Sequence, residues 1–315
     1  MSKKVLRDEK NHYNAWETDQ LAKSEFFLQK LKEWGLREVA DQIETFDGEV
    51  LAWDLGLLGI SEKAWNRTHH RGIKPILVFA HPAILQTISR AVSYYRMLAM
   101  VSQKSMNKIQ LAVGRFESGK GFPGEVQALS VSFRLNQIIS HLIETDEHID
   151  QREFDLWRGM AAGSQAQGSW QNLKGKQSEI LVKGFITRRL REKGFVQQEN
   201  GEKLILKDGR HMEFADEPDI AIYLNHQIQV AIEIKGGIDT AGVLERIGAA
   251  IKSLRRAKEE NPKALTLLLL QAVSVTQTAA NDLAINQTSV NYWFTLEEFV
   301  QNEETRTNIF ELLNI

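Results

Sequence analysis

Asp219, Glu233 and Lys235 stand in the stretch PDIAIYLNHQIQVAIEIKGG (218–237), among strand-forming aliphatic residues. Charge inside a buried sheet is costly unless it is paired or holds a metal. Alternation along 227–235 puts Ile228, Val230, Ile232 and Ile234 on one face and Gln229, Ala231, Glu233 and Lys235 on the other. A tight turn at Asn225–His226 folds 219–224 antiparallel onto 227–232, which brings Asp219 level with Ile232 and Glu233. Pro218 opens the first strand, a position where a missing N–H is tolerated. Two carboxylates and an ammonium therefore converge at one end of a hairpin. Glu179 is a fourth candidate. It lies three, seven and eleven residues ahead of Val182, Ile186 and Leu190, on the helix stripe expected to face the sheet.

Carboxylates in this arrangement form a hard-oxygen site suited to Mg²⁺, which takes one or two carboxylates together with water and substrate phosphate. The chain has no cysteine, and no pair of histidines stands at ligand spacing, so zinc is disfavoured. The chemistry such a metal supplies is acidification of a bound water and stabilisation of charge on a phosphate oxygen. Lys235, among anions, is expected to stay protonated and to hold developing charge rather than act as a neutral base. A plainer reading stays open: an α/β domain in which Glu233 and Lys235 form an exposed salt bridge on an edge strand, worth little.

The elements that must position these groups follow from periodicity. Segments around 18–46, 82–107 and 125–155 carry apolar residues at helical spacing, punctuated by Gly35, Gly48, Gly72 and Gly114. The small, polar run GMAAGSQAQGSWQN (159–172) has neither period and is the expected boundary. Residues 173–194 are helical; short strands are expected at 195–198, 203–206 and 211–214, then at 219–224 and 227–235. A strongly amphipathic helix follows at 241–259, with Val243, Leu244, Ile247, Ala250, Ile251, Leu254 and Ala257 on its apolar stripe. Asp239 and Thr240 are its expected N-cap, and Asn261-Pro262 stops it. Strands at 265–271 and near 290–295 and one or two terminal helices complete the chain. The fold class is α/β, a mixed sheet flanked by helices, behind a largely helical N-terminal region.

Composition, 43% hydrophobic and 25% charged, is that of an ordinary globular protein. The formal net charge of −2 shows no global attraction to polyanions, though a local patch can carry such an interaction. The N-terminus MSKKVLRDEK lacks the apolar core of a signal peptide. The apolar run ALTLLLLQAV (264–273) is about half of a membrane span and reads as a buried strand. With no cysteine, these features suit a cytoplasmic protein.

Pro218-Asp219, thirteen residues, then Glu233-Ile234-Lys235 resembles the PD-(D/E)XK nucleases, whose αβββαβ core has the same order of elements. The longer run EIKGGIDTAGVLERIGAAIKSLRRAK is similar more specifically to type II restriction endonucleases, the XcyI-like group among them. The resemblance covers about residues 174–271. It implies that Asp219, Glu233 and Ile234 are metal ligands for Mg²⁺, that Lys235 is the catalytic lysine and that Glu179 is an accessory catalytic acid. It implies further a nuclease core at 166–315 and a helical region at 1–165 for DNA recognition and dimerisation. The expected activity is hydrolysis of phosphodiester bonds in double-stranded DNA, by a homodimer on a palindromic, GC-rich sequence. Two alternatives stand beside it: a structure-specific repair or recombination nuclease, and a non-catalytic DNA-binding protein of the same fold.

Further candidates for DNA contact are Arg188 and Arg189 in one basic cluster and Arg255 and Arg256 in another, each with the alternative of a solvated helix face. Arg96, Gln103 and Lys104, in SYYRMLAMVSQKS (93–105), have side chains of the types that read purine edges; ordinary packing at a helix end is the alternative. Gly236-Gly237, directly after the lysine, allows either close approach of the backbone to a phosphate or helix, or a simple strand exit.

Overall fold

A computed structural model of the chain describes residues 3–146, 149–237 and 242–315. The chain divides into two compact units, Met1–Gly168 and Ser169–Ile315. Among the described residues no helix is long and apolar enough to cross a membrane.

The first unit is helical: α1 (Lys3–Trp34), α2 (Leu36–Thr45), α3 (Leu55–Leu58), α4 (Glu62–His70), α5 (Pro82–Thr87), α6 (Ala91–Leu98), α7 (Gln103–Lys108), α8 (Gly114–Glu117) and α9 (Glu125–Thr145), followed by the start of α10 (Gln151–Glu192). Gly35, at φ 62°, breaks the long N-terminal periodicity into α1 and α2. Side-chain caps at Asp54, Ser61 and Ser102 start α3, α4 and α7 by accepting backbone N–H groups. Helix α9 buries Ala128, Val131, Leu135, Ile139 and Ile143 at three- and four-residue spacing. Asn136 on the same face is buried but satisfied: it accepts from the Ala80 N–H and donates to the carbonyls of Leu58 and Ala80.

Helix α10 corrects one expectation. The run 159–172, expected to have no regular period, is the interior of this helix, and the division between the two units, after Gly168, falls within it. Phe154, Trp157, Ala162 and Ala166 are buried, so a core-facing stripe exists there, made largely of small residues that hide the period. A Cβ added at Gly159, Gly163 or Gly168 would meet nothing, so no close packing demands these glycines. Each costs about 1 kcal/mol relative to alanine, which a long helix propagating through good formers absorbs.

The second unit is a seven-stranded mixed sheet in the sequential order β1-β2-β3-β4-β5-β6-β7. Its strands are β1 (Val196–Asn200), β2 (Lys203–Leu206), β3 (His211–Phe214), β4 (Ile220–Leu224), β5 (Gln227–Lys235), β6 (Leu265–Leu270) and β7 (Tyr292–Thr295). The first five pair antiparallel, whereas β5, β6 and β7 pair parallel. The crossovers this requires run through α11 (Val243–Glu260) and α12 (Gln277–Ile285), and α13 (Leu296–Gln301) and α14 (Glu303–Leu312) end the chain. The mixed α/β class and the helical N-terminal region are as the sequence indicates. One face of the sheet packs Val230, Ile232 and Ile234 with Val182, Ile186 and Leu190 of α10 and Phe310 of α14. The other packs Ala221, Ala231 and Leu268 with Val243, Ile247 and Leu254 of α11.

Asn225 and His226 both have positive φ, 50° and 64°, the conformation a two-residue hairpin needs to match strand twist. The register then slips: Ile222 pairs with Val230 but Tyr223 with Ile228, so Gln229 is an extra residue. That bulge transfers Ile228 to the α11 face with Ala231, not to the face of Val230, Ile232 and Ile234 that strict alternation assigns it. Leu244 also departs from expectation, being exposed rather than on the buried stripe of α11.

Candidate active site

Beyond the bulge the period of two is intact, and it sets the site. Ile220 pairs with Ile232, which leaves Asp219, just ahead of β4, beside the C-terminal end of β5. The Ile234 N–H donates to Asp219 Oδ2 at 2.6 Å. Lys235 folds its Nζ back to 2.5 Å from Glu233 Oε2 and 3.6 Å from Asp219 Oδ2. Asp219 and Glu233 are buried, at 4% and 1% exposure. This end of the hairpin is no exposed edge: β5 has β4 on one side and β6 on the other.

The electrostatics follow from burial. Desolvation raises the Glu233 pKa to about 7, with the Asp219 charge adding to it and Lys235 opposing it. Burial alone would lower the Lys235 pKa, but the Glu233 and Asp219 carboxylates outweigh it and raise the value, so the amine carries its proton at neutral pH. Glu179 is also raised, by burial and then by the Asp219 charge, and it feels Lys235 as well, which ties it electrostatically to the same cluster. Its nearest basic partner is Lys183, at 3.9 Å.

Glu233 Oε1 is buried and has no hydrogen-bond partner among the described residues. A buried carboxylate oxygen without a hydrogen bond is a standing cost unless a cation takes it. Among the described residues no three acidic or histidine side chains form a closed metal cage. What the site offers is two carboxylates with Lys235 between them. That set fits a hard divalent cation that keeps water and substrate oxygens in its shell better than it fits a fully protein-ligated metal. Asp219 and Glu233 are the side chains that would hold it. Ile234 has its side chain in the core, leaving only its backbone carbonyl as a donor.

The DNA-contact candidates separate. Arg96 is buried at 1% exposure and forms a two-pronged pair with Glu117, while donating to the Val101 carbonyl and to Gln165. This is the packing alternative for Arg96: its guanidinium is committed to the core of the first unit rather than presented on the surface. Gln103 belongs to the same network, donating to Glu117 Oε2 at 2.5 Å, whereas Lys104 is exposed. Arg188 is exposed and paired with Glu192; Arg189 lies over the Phe310 ring. Arg255 is exposed beside Ser289, and Arg256 pairs with Glu217, two residues ahead of Asp219. Asp239 and Thr240 lie outside the described residues.

Ser253 escaped the sequence reading. It is buried on α11, and its hydroxyl lies near enough to the Glu233 carboxylate to lower its pKa. A signal existed: Ser253 sits three residues after Ala250 and four before Ala257, a hydroxyl on an otherwise apolar stripe. The Arg96–Glu117 pair had no local signal, because its members are separated by a break between helices.

A family model described as XcyI restriction endonuclease matches residues 27–312. The chain is 28% identical over 204 residues to the type II restriction enzyme XcyI of Xanthomonas campestris pv. cyanopsidis, a stretch covering 60% of this chain and 61% of that enzyme. It is 29% identical over 203 residues to the type II restriction enzyme Cfr9I of Citrobacter freundii, covering 59% of this chain and 62% of that enzyme. The chain thus spans about three fifths of the length of the curated relatives it matches.

Proposed function

The chain belongs to the XcyI restriction endonuclease family, and from that membership and the hairpin geometry we propose a type II restriction endonuclease that hydrolyses phosphodiester bonds in double-stranded DNA. The observation that carries the proposal is the buried Asp219–Glu233–Lys235 cluster with one carboxylate oxygen left unpaired. Asp219 and Glu233 would hold Mg²⁺, with the Ile234 carbonyl as a third donor. When bound, the ion supplies Lewis acidity towards a phosphate oxygen and makes a water more acidic.

The protein's own groups account for the rest. The Ile234 N–H keeps Asp219 oriented before any ligand arrives, so the acid is preorganised. Glu233 is costly to ionise alone, and a cation beside it removes that cost. Lys235 keeps its proton on Nζ throughout. It positions the attacking water by hydrogen bonding and offsets the negative charge that builds on the phosphate in the transition state. The P–O3′ bond breaks as the water oxygen joins phosphorus; the water gives up a proton to solvent and the departing 3′-oxygen takes one from solvent, leaving a 5′-phosphate and a 3′-hydroxyl. Glu179 would act as an accessory acid at the rim of the site.

One active site cuts one strand, so a homodimer on a palindromic sequence is the natural arrangement for cutting both. The helical first unit would contribute sequence reading and dimer contacts, and the exposed Lys104, Arg188, Arg255 and Arg256 would meet phosphates. A cytoplasmic location fits this role. Incubation of plasmid DNA with the protein and Mg²⁺ tests the proposal: discrete fragments whose ends share one sequence are expected. A smear, cleavage confined to branched or damaged DNA, or no cleavage overturns it.

A further inference from the structure

The exit of β5 touches the backbone of α10. A Cβ built on Gly236 would overlap the Ser178 side chain and come within 3.3 Å of the Lys174 carbonyl. One built on Gly237 would overlap the Gln171 carbonyl and lie 2.9 Å from the Gly175 amide nitrogen. Gly175 reciprocates, since its own Cβ would lie 3.4 Å from the Gly236 carbonyl. Gly237 in addition has φ 71°, a conformation side chains rarely adopt.

The position of this contact in the chain gives it a role. Gly236 directly follows Lys235, and Ser178 directly precedes Glu179. One of the two tight approaches of helix and strand therefore lies one residue away from the amine and one residue away from the accessory acid. A side chain that wedges the two backbones apart at this point therefore acts next to both groups and shifts Glu179 relative to Asp219 and Lys235.

We propose that Gly236 and Gly237 are positioning residues: by admitting the α10 backbone at Gly175 and Ser178, they hold Glu179 within electrostatic reach of the Asp219–Glu233 cation site. This goes beyond a simple strand exit, for which the positive φ of Gly237 alone would suffice. It rests on the reading of Asp219 and Glu233 as cation ligands, and the experiment separates the two.

Mn²⁺ binding to the full chain, without DNA, is followed through the electron paramagnetic resonance signal of the free ion. Glu179→Gln is expected to weaken Mn²⁺ binding about tenfold, the scale of losses when a supporting group around a metal is removed. Gly236→Ala should weaken it to a similar degree. Ser178→Gly removes the side-chain atoms that the new methyl would overlap, leaving only the 3.3 Å approach to the Lys174 carbonyl, so the double variant G236A/S178G should bind Mn²⁺ as S178G alone does. In the E179Q background, G236A should cause no further loss. A defect confined to folding would lower the melting temperature but would show neither the rescue nor the non-additivity.

Wild-type Mn²⁺ affinity in G236A, or an equal loss in the presence and absence of Glu179, overturns the proposal while leaving the cation site standing. If G236A does not fold, the double variant decides: folded and binding at the S178G level supports the proposal, folded and not binding overturns it. A wild-type chain that binds no Mn²⁺ overturns the cation site, and this proposal with it.

Discussion

The Ile234 N–H and the Asp219 carboxylate are joined across 2.6 Å, although fifteen residues separate them in the chain. The bond is available because the hairpin register sets Asp219 beside the end of β5, where its Oδ2 meets a backbone donor. An acid of the site is thus oriented by the sheet itself, independently of any cation.

Asp219→Asn keeps an acceptor for that N–H and removes the charge. It should fold with stability within about 1 kcal/mol of the wild type and lose DNA cleavage by on the order of 100-fold or more. Asp219→Ala should in addition lose about 1–3 kcal/mol, because it leaves a buried N–H unsatisfied. Urea denaturation and plasmid cleavage, run on both variants, check the pair. Equal stability of the two would refute the role assigned to the hydrogen bond.

Lys235→Ala should retain DNA binding and lose cleavage by roughly 100- to 1,000-fold, since the ammonium is placed to act on charge that develops in the transition state. Band shifts in Ca²⁺ and cleavage time courses in Mg²⁺ measure the two separately. Cleavage within tenfold of the wild type would assign the chemistry to other groups.

Without divalent ions, stability should fall as pH rises from about 4.5 to about 7. The Glu233 pKa is raised from 4.5 unfolded to about 7 folded, so between these values the native state binds the additional proton. Its contribution is fully present below the lower value and is lost as pH passes the upper one, on the order of 3 kcal/mol at most. Lys235, also raised, contributes stability that is fully present throughout this window and is lost only at alkaline pH, so it does not alter the slope here. Melting temperatures in EDTA should show the decline, Glu233→Gln should flatten it, and Mg²⁺ should offset it above pH 7. A decline of the same size in the glutamine variant would place its origin elsewhere.

Arg96→Ala should destabilise the protein by about 3–5 kcal/mol, because Glu117 is then left buried without its partner. Replacing both, Arg96→Met with Glu117→Leu, should recover most of that loss. Chemical denaturation of the three variants checks this. A single variant within 1 kcal/mol of the wild type would contradict the assigned role.

Arg256→Ala should change stability by less than about 0.5 kcal/mol, since its partner Glu217 is exposed, yet lower the salt dependence of DNA binding by about one unit of slope. Titrations of a DNA duplex across a range of KCl concentrations measure that slope. An unchanged slope would remove Arg256 from the DNA surface.

Much of the second unit was legible from local pattern. The alternating run 227–235, the Asn225–His226 turn and the apolar stripe of α11 each carry their structure in a few adjacent residues, so the hairpin and its charged end could be read directly. The long helix across 159–172 was not legible in the same way. Its buried face there is built of Ala162 and Ala166, which lack the hydrophobic contrast that makes a stripe visible.

Periodicity, register and residue type are local properties, and by themselves they placed Asp219, Glu233 and Lys235 at one end of a hairpin. Burial and contact depend on residues brought from elsewhere in the chain, and only the tertiary structure decided them. The bulge at Gln229 turned Ile228 to the other face, Glu117 drew Arg96 into the core, and α10 came to rest against Gly236. Desolvation is likewise a property of the assembled fold: the same glutamate that strand alternation locates becomes a group titrating near 7 only once β4, β6 and α11 have excluded water from around it.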